Sequence, residues 1–247
     1  MARSVQTRQR HGQRSGAAQP AVVCGRLVGC NLAPIRLTTM NPTNHQTPFS
    51  ICVYCGSKPG NKPEFAQIAV QVGTWIGSHG GQLVYGGGRV GLMGLVADSA
   101  LDHGGEVHGI IPEHLVRAET AHQGLTSLET VQTMHERKAR MEELAVGFIV
   151  LPGGFGTFDE VFEILTWNQL GLIAKPVVFL DSTGYYAPLF DAFDHMISAG
   201  FVKENYRVLL NRATTVEEAV RIASSPAATV EGKLIELDIT SKKTITS

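Results

Sequence analysis

The sequence predicts an α/β protein of the Rossmann-like type, with a single domain built around a doubly wound parallel sheet. Short apolar runs alternate with helical patterns along the chain, and glycine-rich turns separate them, which is typical of βαβ units. The chain has 247 residues, of which 43% are hydrophobic and 17% are charged, a composition that suits one domain with a sizeable core. No internal repeat or linker divides the body of the chain.

The elements can be placed from their periodicity. The predicted strands are short apolar segments at 49–55, 81–85, 105–111, 126–131, 147–151, 176–180 and 206–210. The predicted helices are amphipathic segments at 62–79, 91–103, 133–146, 157–170, 186–199 and 215–224. We therefore expect the folded domain to span 49–225 and the C-terminal tail, 226–247, to be flexible.

The N-terminal segment, 1–48, differs from the rest in composition. It holds six arginines and no acidic residue. The composition of this segment resembles that of an organelle transit peptide. Transit peptides form amphipathic helices, however, and the helical amphipathicity of this segment is poor. Met40 lies just ahead of the first predicted strand, so a start-site extension or a disordered tail is the preferred interpretation. We exclude 1–48 from the predicted fold.

The charge and hydropathy of the body exclude several classes of partner. All 22 acidic residues follow the N-terminal segment, against 15 of the 21 basic ones. An acidic body argues against a DNA or RNA partner, because phosphate neutralisation supplies most of the affinity of nucleic-acid-binding domains. No stretch approaches the roughly 20 apolar residues of a membrane-spanning helix. We therefore expect neither a nucleic-acid nor a membrane partner.

The four cysteines lie at positions 24, 30, 52 and 55. Cys52 and Cys55 have the spacing of a redox pair, but such pairs open a helix, where the dipole lowers the thiol pKa. Here both cysteines fall in a predicted strand, so we interpret them as small buried apolar residues. With no signal peptide and no second metal-like pair, free thiols favour a reducing, cytoplasmic location.

The first glycine-rich loop, Gly86-Gly87-Gly88-Arg89-Val90-Gly91, fits the spacing G-x-G-x-x-G. A dinucleotide site is disfavoured because that fingerprint belongs after the first strand, whereas this loop follows the second. Two alternatives remain. The glycines are needed only for a tight turn and close packing, or the backbone N–H groups of Gly86, Gly87 and Gly88 approach a nucleotide.

The second loop, Pro152-Gly153-Gly154-Phe155-Gly156-Thr157, follows a buried strand and opens a helix. Exposed N–H groups and the positive end of the helix dipole predict a cradle for an anion such as a phosphate monoester. Thr157 and Glu160 also have the spacing of a capping box, which would explain Glu160 without function. Glycines at 153, 154 and 156 lose much conformational entropy on folding, which a helix cap alone does not require. A functional role of this loop and of Glu160 is therefore favoured.

A third group of residues lies on the predicted helix 133–146. Met134, Arg137, Met141 and Leu144 share one face at helical spacing. Arg137 therefore lies on the apolar stripe and must be paired. Its partner is either a fixed carboxylate, a ligand phosphate or a glutamate that faces a sugar.

With these motifs in place, the chain resembles the Lonely Guy family of cytokinin riboside 5′-monophosphate phosphoribohydrolases. The resemblance covers about 49–225. It is carried by Cys55-Gly56-Ser57, by Tyr85-Gly86-Gly87-Gly88 through Gly91-Leu92-Met93-Gly94, by Met134-His135-Glu136-Arg137-Lys138, and by P-G-G-x-G-T-x-x-E at 152–160. The arginine-rich N-terminal segment is not part of the family pattern.

The resemblance implies a Rossmann-like homodimer that hydrolyses the N-glycosidic bond of an adenosine 5′-monophosphate, plain or N6-modified. The products are a free base and ribose 5-phosphate, and neither a metal nor an organic cofactor is implied. Two alternatives stay open: a broader nucleotide nucleosidase of salvage, and a nucleotide-binding module without catalysis. The sequence alone does not decide between cytokinin nucleotides and other bases.

The resemblance also implies roles for particular residues. Arg137 and Glu160 match the catalytic pair of the family. The implied nucleotide-contacting positions are Lys138, the loop Gly154 to Thr157, Glu119 and Thr166.

Overall fold

The computed structural model describes residues 49–116 and 121–228. Seven strands lie within these ranges: β1 Ser50–Tyr54, β2 Gln82–Tyr85, β3 Glu106–Pro112, β4 Ser127–Val131, β5 Gly147–Val150, β6 Val177–Leu180 and β7 Asn211–Ala213. The helices are α1 Pro63–Ser78, α2 Gly91–Asp102, α3 Glu113–Val116, α4 Met134–Leu144, α5 Phe155–Leu170, α6 Ala187–Ser198 and α7 Val216–Ala223.

All seven strands form one sheet in the order β4-β3-β2-β1-β5-β6-β7, and every pair is parallel. The chain first winds outward from β1 through β2, β3 and β4, then returns beside β1 as β5 and winds the other way. This is a doubly wound Rossmann-like sheet, and it confirms the predicted fold class.

Helices cover both faces of the sheet, as its apolar strands require. Helices α1, α2 and α7 pack on one face, where their buried side chains join Ile51, Val53, Leu83 and Ile149 in one core cluster. Helices α4, α5 and α6 pack on the other face, around Cys52, Phe148 and Phe179. Alternate residues of β1 thus enter opposite cores. No helix in the two described ranges is long and apolar enough to cross a bilayer.

The prediction of a strand at 206–210 was wrong. This segment belongs to a 3₁₀ helix, Glu204–Leu209, and the seventh strand is Asn211–Ala213. Tyr206 is buried and Leu209 packs against the core three residues later, which is the period of a 3₁₀ helix and not that of a strand. The short helix Glu113–Val116 was not predicted because four residues are too few to show a period.

Helices α1 and α2 pack closely because α1 has glycines on its inner face. A Cβ built on Gly73 would collide with the carbonyl oxygen of Val96 and lie 2.8 Å from the Cβ of Ser99. Gly77 faces the backbone of Ala100 in the same way. The close contact between the two helices therefore depends on the missing side chains.

We expect Gly73→Ala to lower the free energy of unfolding by about 1–3 kcal/mol, because an added methyl group overpacks a backbone contact. Gly156→Ala is the matched control, since Gly156 is also helical and nothing lies within 4 Å of the position that its added methyl group would take. The control should change stability by at most about 1 kcal/mol. Urea unfolding measures both variants, and equal stability of the two would contradict the packing argument.

Candidate functional site

A cavity of about 440 Å³ opens at the carboxyl ends of β1 and β5. Its walls come from residues 55–60 after β1, residues 152–157 after β5, Gly86 after β2, Arg137 of α4 and Glu160 of α5. Strands β1 and β5 are where the sheet reverses its winding direction, and ligands of doubly wound folds bind at this point. The cavity is therefore the candidate active site.

The loop after β5 enters α5 earlier than predicted. The helix begins at Phe155 with Gly154 as its N-cap, and no side chain caps it. Thr157 therefore lies inside the first turn, and the predicted capping box of Thr157 and Glu160 was wrong. The side chain of Thr157 instead packs back onto Gly153, where a Cβ would collide with it.

The start of α5 is open toward the cavity. Nothing lies within 4 Å of a Cβ built on Gly154 or Gly156, so internal packing does not require glycine at either position. Without side chains there, the N–H groups of the first helical turn remain accessible to an anion. Phe155, between these glycines, is 97% exposed at the cavity wall.

Two neighbouring segments fix this loop in place. The N–H of Gly56 donates to the carbonyl of Pro152 at 3.0 Å, which joins the loops that follow β1 and β5. The hydroxyls of Tyr185 and Tyr186 donate to the carbonyls of Gly153 at 2.5 Å and Leu151 at 2.6 Å. Sequence reasoning missed both tyrosines, because nothing in their local pattern shows that the loop after β6 reaches the loop after β5.

Arg137 is buried and held mainly by backbone carbonyls. Its Nε donates to the carbonyl of Ile110 at 3.1 Å, and one terminal nitrogen donates to the carbonyl of Gly86 at 3.0 Å. A side chain on Gly86 would collide with the guanidinium. The first glycine loop therefore serves the site by making room for Arg137 and by accepting its hydrogen bond.

The guanidinium lies beside a buried carboxylate. A terminal nitrogen of Arg137 is 3.9 Å from Oε1 of Glu160, and both residues are less than 10% exposed. Both residues line the cavity. The structure thus brings together the two residues that match the catalytic pair of the resembled family, and Arg137 has both a carboxylate and fixed carbonyls as neighbours.

Lys138, the next residue, points elsewhere. Its Nζ lies 3.1 Å from Asp159 and 3.0 Å from Glu163, both on α5, and it is not part of the cavity wall. Burial disfavours the ammonium, but the hydrogen bonds to Glu163 and Asp159 outweigh burial and raise the pKa of Lys138. Lys138 therefore joins α4 to α5, and the structure places it away from the predicted nucleotide position.

Cys55 lines the cavity as a neutral group. Burial, and after it the charge of Glu160, raise the pKa of the Cys55 thiol, although Arg137 opposes them. Cys55 is thus protonated at neutral pH and is not poised as a thiolate nucleophile. Cys52 lies on β1 in the opposite core, which agrees with the interpretation of both thiols as buried apolar residues.

The other predicted contact residues are scattered. Gly87, with φ +75°, packs against Ile111 and Leu128, and Gly88 bridges to Ala121; neither lines the cavity. Thr166 lies six residues after Glu160 on α5, does not line the cavity, and donates to the carbonyl of Phe162. Glu119 lies outside the described residues.

No group of three or more His, Cys, Asp or Glu side chains is arranged to hold a metal ion in the described ranges. The charged residues of the cavity wall are Lys58, Arg137 and Glu160. Together with the open helix N-terminus, they favour a small anionic ligand.

The fold and this site are typical of Rossmann-like proteins that bind a small anionic ligand at the carboxyl edge of the sheet. Comparison with known proteins identifies the family. A family model described as possible lysine decarboxylase matches residues 93–223. Cytokinin riboside 5′-monophosphate phosphoribohydrolase of Rhodococcoides fascians is 45% identical over 197 residues, which cover 79% of this chain and all of the relative. A probable enzyme of the same name from Oryza sativa subsp. japonica is 46% identical over 69% of this chain and 77% of its own length.

A solved structure supports the fold. The crystal structure of TM1055 is 26% identical, covers 70% of this chain and 97% of its own, and superposes with a TM-score of 0.54. The chain belongs to the family of the cytokinin riboside 5′-monophosphate phosphoribohydrolases.

Proposed function

We propose that this protein hydrolyses the N-glycosidic bond of an adenosine 5′-monophosphate, preferably one with a modified N6 position, to give the free base and ribose 5-phosphate. The observation that carries the proposal is the buried Arg137 and Glu160 pair, set at 3.9 Å in a cavity whose other wall is an open helix N-terminus. The substrate class rests on family membership, because relatives with 45% and 46% identity carry this activity in their names.

The 5′-phosphate is placed at the start of α5. Gly153, Gly154, Gly156 and Thr157 offer backbone N–H groups and the positive end of the helix dipole. An anchored phosphate holds the ribose in one position, which lowers the entropic part of the barrier. A nucleoside that lacks the phosphate should therefore react poorly.

The ribose then lies near Glu160, one turn further along α5. As the C1′–N bond breaks, its electron pair leaves with the base, and the sugar gains positive charge. A carboxylate beside C1′ stabilises that charge and orients the attacking water. The water oxygen bonds to C1′ and releases a proton, while the departing base takes up a proton.

Arg137 is assigned a positioning and electrostatic role. A guanidinium remains protonated at physiological pH and is a poor proton donor. The carbonyls of Gly86 and Ile110 fix its orientation, so it can hold Glu160 and a ribose hydroxyl without reorganisation. A lysine at this position could not make the same forked set of contacts.

We further propose that the protein is a homodimer. The face formed by α5, α6 and the 3₁₀ helix carries an apolar groove lined by Phe162, Met196, Val202 and Leu209. Phe201, three residues after the end of α6, is 86% exposed and directly precedes Val202 of the groove. Exposed apolar groups of this size are typical of subunit contacts, and a second copy of the chain is the occupant that the family resemblance implies.

The proposed location is the cytoplasm. The support is that Cys52 and Cys55 are free thiols buried in opposite core clusters, an arrangement suited to a reducing compartment. Cell fractionation tests this location.

The proposed reaction predicts base release from nucleotides. Purified protein incubated with AMP or N6-isopentenyladenosine monophosphate should release free base and an equal amount of ribose 5-phosphate. Adenosine should be hydrolysed at least about a hundredfold less efficiently, because it lacks the phosphate that anchors the ribose. Chromatography of the base and an assay of ribose 5-phosphate measure the reaction. Absence of base release from both nucleotides would refute the proposed function.

Glu160→Gln should lower kcat by about a hundredfold or more, because the amide keeps the shape but removes the negative charge that stabilises the sugar cation. The dissociation constant for AMP, measured by calorimetry, should change by less than about threefold. Glu143→Gln is the matched control, since Glu143 lies on α4 outside the cavity and pairs with Arg140. Full activity of Glu160→Gln would remove this residue from the reaction.

The proposed dimer predicts a mass of twice 26.6 kDa in sedimentation experiments on the full chain. Phe201→Glu should shift the protein toward the monomer without loss of stability, because this side chain is 86% exposed within the chain. Val70→Glu is the control, since Val70 is an exposed residue of α1 on the opposite layer. A monomeric wild type would disprove the assembly and leave the proposed chemistry unaffected.

A further inference from the structure

We infer that Lys58, in the loop after β1, is the cation that binds the 5′-phosphate of the substrate. This inference rests on the proposed function, because it assigns a partner to the phosphate of that same substrate. The predicted site residues did not include any residue of this loop. Its segment Gly56-Ser57-Lys58-Pro59-Gly60 nevertheless lines the cavity, next to the loop that opens α5.

The charge balance of the cavity favours Lys58 as the cation that faces the phosphate. Lys58, Arg137 and Glu160 are the charged residues among the described cavity-lining residues. Arg137 is next to Glu160 and donates to two backbone carbonyls, so this pair has no net charge to offer a phosphate dianion. The helix N-terminus supplies only about half a positive charge. Lys58 is the remaining group that can offset the second negative charge.

The position of Lys58 is set by its backbone. The N–H of Gly56 is bound to the carbonyl of Pro152, and the carbonyl of Gly56 accepts from the N–H of Leu92, both at 3.0 Å. Gly91, with φ +62°, has no side chain, and the backbone of Ser57 and Lys58 occupies the space a Cβ would need. The loop is thus attached on one side to the phosphate loop and on the other to the start of α2.

The side chain of Lys58 has the freedom that a phosphate-binding group needs. Lys58 is exposed, and none of the ion pairs or hydrogen bonds described for the folded domain involves its side chain. Its flexible stem can follow the phosphate when the nucleotide enters, and its ammonium is a point charge with three donors. Arg137 lacks this freedom, since its guanidinium is buried and fixed. The two cations therefore contact different parts of the substrate: Lys58 binds the phosphate, and Arg137 lies at the ribose.

The test compares Lys58→Gln with Lys62→Gln. Lys62 is also exposed and lies just four residues further, but it does not line the cavity. Lys58→Gln should raise KM for AMP about tenfold, the effect of losing one charge-assisted contact in a partly solvated site, and change kcat less than about twofold. Lys58→Arg should restore most of the loss, and Lys62→Gln should behave as wild type.

The dependence of KM on ionic strength is a second test, because a purely structural role of Lys58 would not change this dependence. Raising salt from about 0.05 to about 0.5 M should increase KM for the wild type more than for Lys58→Gln, because salt screens the exposed ammonium. Equal salt dependence in the two proteins would overturn the assignment. So would a KM for Lys58→Gln equal to that of the Lys62→Gln control.

Binding separates this inference from the proposed function. In the Glu160→Gln background, calorimetry should show that Lys58→Gln weakens AMP binding about tenfold and leaves adenosine binding unchanged. If the wild type binds AMP but hydrolyses neither AMP nor N6-isopentenyladenosine monophosphate, the proposed function fails and the role of Lys58 is still decided by this affinity. If the wild type binds neither nucleotide, both proposals are refuted.

Discussion

The adjacency of β1 and β5 determines where the site can form. The two strands pair in register from Ile51 with Gly147 to Tyr54 with Val150, so their loops leave the sheet side by side. The 3.0 Å hydrogen bond from Gly56 to Pro152 then joins those loops directly. Because the chain winds in opposite directions from this pair, no crossover helix covers the gap between them, and a cavity is left at the carboxyl edge of the sheet.

Much of this architecture follows from the sequence, whereas the site follows from it only in part. Six of the seven strands and six helices were predicted by apolar periodicity, because most of them bury at least one face. The capping-box spacing also occurs at Thr133 and Thr215, and there the threonine side chain accepts the N–H of a glutamate three residues later. It failed at Thr157, because α5 begins two residues earlier behind Gly154. Local spacing does not reveal that a helix start carries no side-chain cap.

The glycines show why strand order is needed to interpret a motif. The sequence left open whether Gly86 serves packing or a nucleotide, and the structure gives it a third purpose, since Arg137 occupies the space beside it. The two residues are 51 positions apart in the chain. Their contact exists because β2 and β3 pair and α4 packs across both strands. The position of Lys58 at the cavity was missed for a similar reason, because only the pairing of β1 with β5 brings its loop to the loop that opens α5.

The neighbouring cations of α4 illustrate how one helix can serve both stability and chemistry. Arg137 and Lys138 are about 100° apart around the helix, so they meet different parts of α5. Lys138 binds Asp159 and Glu163, which are four residues apart and therefore on one face of α5, while Arg137 meets Glu160 on the adjacent face. The Lys138 contacts join α4 to α5, and Arg137 lies 3.9 Å from Glu160 between the same two helices. Two neighbouring residues of one helix thus have different surroundings, since Arg137 lines the cavity and Lys138 pairs with α5 outside it.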